Sequence, residues 1–230
     1  MSPRLLAAPL VLGLLLGAGH AWSAPQQPES ASPHPWRDLY GDALIFDVLR
    51  DGKAVGRYET RFHGDDRQWR VEARMELDVR WLLWRFSFRY QGIERWRDGR
   101  LETLEVRIDE DDDTRRHLFT RQGQWLHSSD GEKIRLPVLP THHYDAAVVN
   151  SERVVNTLTG EVNQVDVEPV GREMLEAEGR RLEAMRYRYR GELDNTDVWY
   201  DRKGRWVGLS FLDKKGVEVT FRCRRCGQGT

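Results

Sequence analysis

The sequence predicts a mainly all-β protein: a curled antiparallel up-and-down sheet or half-barrel with one short helix across its mouth. Strict alternation points to it first. Trp69, Val71, Ala73, Met75, Leu77 and Val79 interleave with Arg70, Glu72, Arg74, Glu76, Asp78 and Arg80. A period of two gives a strand one dry face and one wet face, whereas a helix would scatter these apolar residues around its circumference. Turn dipeptides recur between such runs, at Asp51-Gly52, Asp98-Gly99, Asp130-Gly131, Lys203-Gly204 and Lys215-Gly216. Sequential hairpins with one wet face curl around the apolar side.

Residues 1–24 read as a cleavable export signal. Arg4 forms the basic start, residues 5–18 an apolar run, and Ala21 and Ala24 end candidate cleavage sites. The run is short for a membrane span, and no later segment suits one. The expected location is therefore the periplasm or the exterior. Residues 25–39, rich in Pro and Ser, read as a disordered leader. A single β-rich domain is expected over residues 40–223, with a flexible tail over 224–230.

Within the domain, "ALIFDVLR" and "AVGRYETRF" flank Asp51-Gly52, a pair suited to a type I′ turn. Gly64-Asp65-Asp66 turns the chain into the long alternating strand. Phe86, Phe88 and Tyr90 continue the pattern, and Gly92 suggests a bulge. "LETLEVRID" returns from Asp98-Gly99, and the acidic run 109–113 is the next turn. Shorter strands follow around Leu118 and Trp125. Residues 141–156 break the rhythm, and Thr141 suits the cap of a short helix through Tyr144, Ala147 and Val148. "NQVDVEP", "RLEAMRYRYRG", "DVWYD", "RWVGLSFLD" and "GVEVTFRC" complete the sheet.

Several pieces together resemble a bacterial periplasmic family known as a domain of unknown function. They are "FDVLRDGKAVGRYETRF", "FRYQGIERWRDGRLETLEVRIDED", "VVNTLTGEVNQVDVEPVG" and "DVWYDRKGRWVGLSF", carrying E-x-W-x-D-G, T-G-E and W-Y-x-x-x-G-x-W patterns. The resemblance implies a β-sheet domain and offers no known catalytic residue to carry over. The layout is more distantly similar to half-barrel lipoprotein carriers of the envelope.

Chemistry is less legible. The net charge is -1, from 36 basic and 37 acidic residues, which offers no field for nucleic acid. Nucleophile elbows, phosphate loops and zinc-protease motifs do not occur. Cys223 and Cys226 are a candidate disulfide, read as a surface bridge or a free tail. His142 and His143 are adjacent, and such side chains diverge, so they read as a capping or surface pair rather than metal ligands. No metal or other cofactor is expected. Glu94 falls on the dry face beside Trp96 unless Gly92 shifts the register. A carboxylate there marks a site, or an ordinary buried ion pair.

The chain has nine Trp residues, and large dry-face side chains imply a cavity to fill. Trp69, Met75, Phe86, Phe88, Tyr90, Glu94 and Trp96 are the expected ligand-binding residues. The resulting expectation is a non-enzymatic binder or carrier of an apolar envelope ligand, a lipid or acyl chain. The alternatives are an enzyme acting on an envelope lipid or glycan through Glu94, and a structural accessory protein with a filled core.

Overall fold

The computed structural model describes residues 35–65, 67–81 and 84–227. The export-signal expectation, and most of the leader, lie outside them. A short helix, α1 (Pro35–Tyr40), leads into strands β1 (Ala43–Arg50), β2 (Lys53–Gly64), β3 (Gln68–Trp81), β4 (Trp84–Arg97), β5 (Arg100–Glu110), β6 (Asp113–Gln122), β7 (Trp125–Ser128) and β8 (Lys133–Arg135). After β9 (Leu139–Pro140) and a 3₁₀ turn (Ala146–Asn150) come β10 (Arg153–Val155), β11 (Val162–Ala177), β12 (Arg180–Gly191), β13 (Asp197–Asp201), β14 (Trp206–Leu212) and β15 (Glu218–Arg225).

These strands make one 15-stranded sheet in the order β8-β7-β6-β5-β4-β3-β2-β1-β15-β14-β13-β12-β11-β10-β9. Neighbours are antiparallel except β9 and β10, which run parallel. The strands nearest the two termini pair in the middle of the sheet. The two edges, β8 and β9, are consecutive in the chain. The sheet curls without closing, and Arg153 on β10 donates to the Arg135 carbonyl of β8 at 2.9 Å across the gap.

The turns form for the stated reasons. Asp51 and Gly52 both take positive φ (50° and 70°), as do Asp98 and Gly99 (47° and 73°), the conformation a type I′ turn requires. On β3 the alternation holds at Val71, Ala73 and Met75, all buried, against exposed Arg70, Arg74 and Glu76. Glu72 departs from it: it lies on the wet face yet is buried, roofed by its own partners Arg70, Arg74 and Gln91.

Other expectations need correction. Pairing of β3 with β4 runs unbroken through Ala73↔Gly92, so Gly92 is not a bulge; β4 shifts register only at Arg95/Trp96, against β5. The cap of the turned segment is Asp145, whose Oδ1 accepts from the Ala147 backbone N–H, rather than Thr141. The stretch read as leader becomes helical from Pro35, because Trp36, Leu39 and Tyr40 recur at helical spacing and pack on the core. At the other end β15 runs to Arg225 and Cys226 is fully buried, so order extends past residue 223 into the expected tail. A strand missed in part is β11. Pro169 and Gly171 read as its end, but they form a bulge through which pairing with β12 continues.

The core fills the concave side of the sheet. Phe46, Tyr58, Trp206 and Phe221 form its aromatic centre, with Phe46 and Trp206 ring centroids 4.2 Å apart.

Candidate functional site

The site is built where one irregular segment enters the concave face. Residues 141–145 leave β9 and cross the interior before the 3₁₀ turn. Such backbone must find partners for its polar groups. Phenols from separate parts of the fold supply them: Tyr40 Oη donates to the Tyr144 carbonyl at 2.8 Å, and Tyr200 Oη donates to the His143 carbonyl at 2.9 Å. Tyr40 Oη also accepts from the Trp206 backbone N–H at 2.9 Å.

Against this segment β4 presents Tyr90, Gly92, Glu94 and Trp96 on successive inward positions. Glu94 is fully buried. Its carboxyl receives three side-chain donors: His142 Nδ1, Tyr144 Oη, and Trp96 Nε1 at 2.6 Å. An ionised carboxylate has only acceptors, so three donors fit that form. Glu94 thereby fixes the His142 tautomer, with the proton on Nδ1. His142 Nε2 is left to accept, and the Tyr90 hydroxyl donates to it. The result is an ordered chain of hydroxyl, imidazole and carboxylate. Gly92 makes it possible, since a Cβ there would lie 2.6 Å from Tyr90 Oη and 2.8 Å from His142 Nε2.

His142 and His143 are both buried, not a surface pair. They diverge as adjacent side chains must. His143 faces Tyr189, with Nδ1 3.5 Å from its hydroxyl, and Trp206, with ring centroids 5.6 Å apart. Burial pushes the His143 imidazole down to about 3, helped by neighbouring His142. Burial pushes Asp145 up to about 6, with the charge of Glu94 adding to it. Burial likewise holds the Tyr90 phenol well above its usual range, with Tyr58 and Glu94 contributing and a hydrogen bond to Thr157 opposing. Among the described residues no cluster of three His, Cys, Asp or Glu is placed to hold a metal.

The Tyr90–His142 end of the chain borders a cavity of about 300 Å³. Tyr58, Met75, Leu209, Phe211 and Phe221 are among its apolar lining, and Thr141, Asn156, Thr157, Glu192, Asp194 and Thr196 among its polar lining. No Lys or Arg lines it among the described residues.

The residues expected to bind a ligand separate here. Met75 and Tyr90 line the cavity. Glu94 lies behind Tyr90 and His142, out of its reach. Trp69 and Trp96 stack on each other, with centroids 5.9 Å apart and planes 8° apart, away from the cavity. Phe86 and Phe88 are half-buried further along β4 and do not line it. His142, Thr157 and the β14 residues were not foreseen. The one signal in the sequence was the run His142-His143-Tyr144 where the strand rhythm fails. Cys223 and Cys226 form a disulfide, Cα atoms 6.0 Å apart, and it is buried rather than superficial. Glu178 accepts from the Cys226 backbone N–H there.

Fold and site together define a curled β-barrel-like protein with a small cavity beside a buried polar chain. The chain belongs to the family described as Domain of unknown function (DUF6134), whose model matches residues 46–224. In fold it is similar to a β-barrel-like protein of domain of unknown function DUF1849 from Brucella abortus. That likeness has a TM-score of 0.54 at 11% identity and covers 82% of this chain and 98% of the other. No curated protein matches the chain.

Proposed function

We propose that this protein binds a small molecule with an apolar body and an uncharged or cationic polar end. The cavity of about 300 Å³ carries this reading. Its size is at the lower end for ligand pockets. At that size the ligand is a short chain or a compact ring system. Aromatic and aliphatic side chains line the cavity together with hydroxyl, amide and carboxylate groups. Glu192 accepts from the Gln164 backbone N–H and Asp194 pairs with Arg190 at 3.7 Å, while no Lys or Arg lines the cavity itself among the described residues, which disfavours a carboxylate ligand such as a free fatty acid. Residues 1–24 keep their reading as an export signal, and a buried disulfide suits an oxidising compartment.

Displacement of the neutral dye N-phenyl-1-naphthylamine by straight-chain alcohols tests this. Each added methylene contributes about 0.8 kcal/mol, close to fourfold in affinity. Affinity should climb with length, level off once the chain fills the cavity, and exceed that of the matching carboxylate. Leu209→Trp should fill the cavity and abolish displacement while leaving the protein folded. Absence of saturable binding, or binding indifferent to chain length, overturns the reading.

A further inference from the structure

Tyr90, His142 and Glu94 do more than line or support a binding cavity. We propose that they form an acyl-transfer site, with Tyr90 Oη as nucleophile, His142 as its base and Glu94 as positioning residue, acting on a neutral ester whose apolar part occupies the cavity. This rests on the cavity being a ligand site, as above.

The geometry has the parts such a site needs: a hydroxyl bonded to an imidazole, and the imidazole oriented by a buried carboxylate. A purely structural network would be expected to close on itself inside the core. This one reaches the cavity at Tyr90 and His142, and runs on from Tyr90 to Thr157, which also lines it. Glu94 is sealed behind them and carries two further donors, Tyr144 and Trp96, that hold it in place. Gly92 supplies the space in which hydroxyl and imidazole meet.

The step balances as follows. Tyr90 Oη attacks the ester carbonyl carbon while its proton passes to His142 Nε2. Burial holds the phenol proton firmly, so no free phenolate precedes the attack and the two events are concerted. The imidazolium formed is stabilised by the Glu94 carboxylate across Nδ1–H. The bond from the carbonyl carbon to the leaving oxygen breaks, and the departing alcohol takes the proton from Nε2. Water then attacks the acyl-tyrosine, gives its proton to His142, and releases the acid as Tyr90 recovers the proton. Thr157 lines the cavity and shares a hydrogen bond with Tyr90, which helps to hold the attacking hydroxyl in place. A phenol is a better leaving group than an alkyl alcohol, so the acyl-tyrosine is a reactive intermediate.

The test is acylation by 4-nitrophenyl butanoate, followed by nitrophenolate release and by peptide mass mapping of the adduct. Tyr90→Phe and His142→Gln are compared, with dye displacement reporting on the folded cavity in each. The proposal expects a butanoyl group on Tyr90 of the unaltered protein, none in Tyr90→Phe at that position, and roughly hundredfold slower acylation of Tyr90 in His142→Gln. If a variant no longer binds dye, the solvent isotope effect on Tyr90 acylation in the unaltered protein replaces it; a slower rate in heavy water supports the concerted proton transfer, and an unchanged rate overturns it. Butanoyl groups confined to surface amines, with Tyr90 unmodified and dye still bound, overturn the site and leave the binding function standing. Tyr90 acylation without dye binding overturns the binding function, and with it the proposal that the cavity holds the ester.

Discussion

His143 is an imidazole that the folded protein keeps neutral. Burial lowers it from 6.5 to about 3. Between those values the unfolded chain holds a proton that the folded one refuses. The stability tied to His143 is therefore complete above about pH 6.5 and is lost as pH falls through 3. Asp145 acts in the opposite sense, since burial raises it from 3.8 to about 6. Its contribution is present below about pH 3.8 and lost as pH rises through 6. Between pH 6 and 4 the two nearly cancel, because the unfolded chain holds the His143 proton while the folded one holds that of Asp145, and the net loss in acid falls below about pH 3.8. In His143→Gln only the Asp145 contribution remains, so stability should rise as pH falls from 6 to 4, reaching on the order of 3 kcal/mol above the parent at pH 4. Urea midpoints at pH 7 and pH 4 measure it, and an unchanged slope would refute the neutral buried imidazole. At this scale Glu94 was legible, because alternation along β4 already turned it inward. His142 was not. Nothing local to a T-H-H-Y run says that it enters a core, and its partners lie 48 and 52 positions away in the chain.

Along a strand, the wet and dry faces differ sharply in what they tolerate. Met75 lies in the core opposite Tyr58 and Tyr90, while Glu76, the next residue, is exposed. Met75→Asp buries a carboxylate with no partner and should cost about 3 kcal/mol or more. Glu76→Lys should change stability by less than about 1 kcal/mol. Chemical denaturation of the pair checks the register of β3 directly, and coincident midpoints would contradict it. Hairpins with two positive-φ residues were the most legible elements, because the turn chemistry is carried by the dipeptide itself. The β11–β12 hairpin was less so: Pro169 reads as a terminator, and only its bulge lets pairing continue to Ala177. The Glu178-Gly179 turn at its tip, with φ of 53° and 71°, lacks the Asn or Asp that marks such turns most plainly.

For the molecule as a whole, the curled sheet followed from consecutive hairpins, but the pairing of β1 with β15 did not. No local signal can announce a ladder between the two ends of a domain. That ladder joins two arcs, β1–β8 and β9–β15, each made of strands that neighbour their successors. The cavity draws residues from both: Tyr58, Met75 and Tyr90 from the first, Leu209, Phe211 and Phe221 from the second. A chain made from its N-terminus therefore completes the first arc with an uncovered inner face. Only the last strand to be synthesised, β15, can seat Phe221 against Phe46 and Tyr58. Short-range hairpins close at small entropic cost, whereas the terminal ladder spans almost the whole domain and should form late. Pulsed hydrogen exchange during refolding should show β3–β5 amides protected before those shared by β1 and β15, and simultaneous protection would exclude that order. Until the final strand arrives, a nascent chain carries an exposed aromatic surface with no internal means of covering it, and its safe maturation depends on whatever shelters unfinished proteins in its compartment.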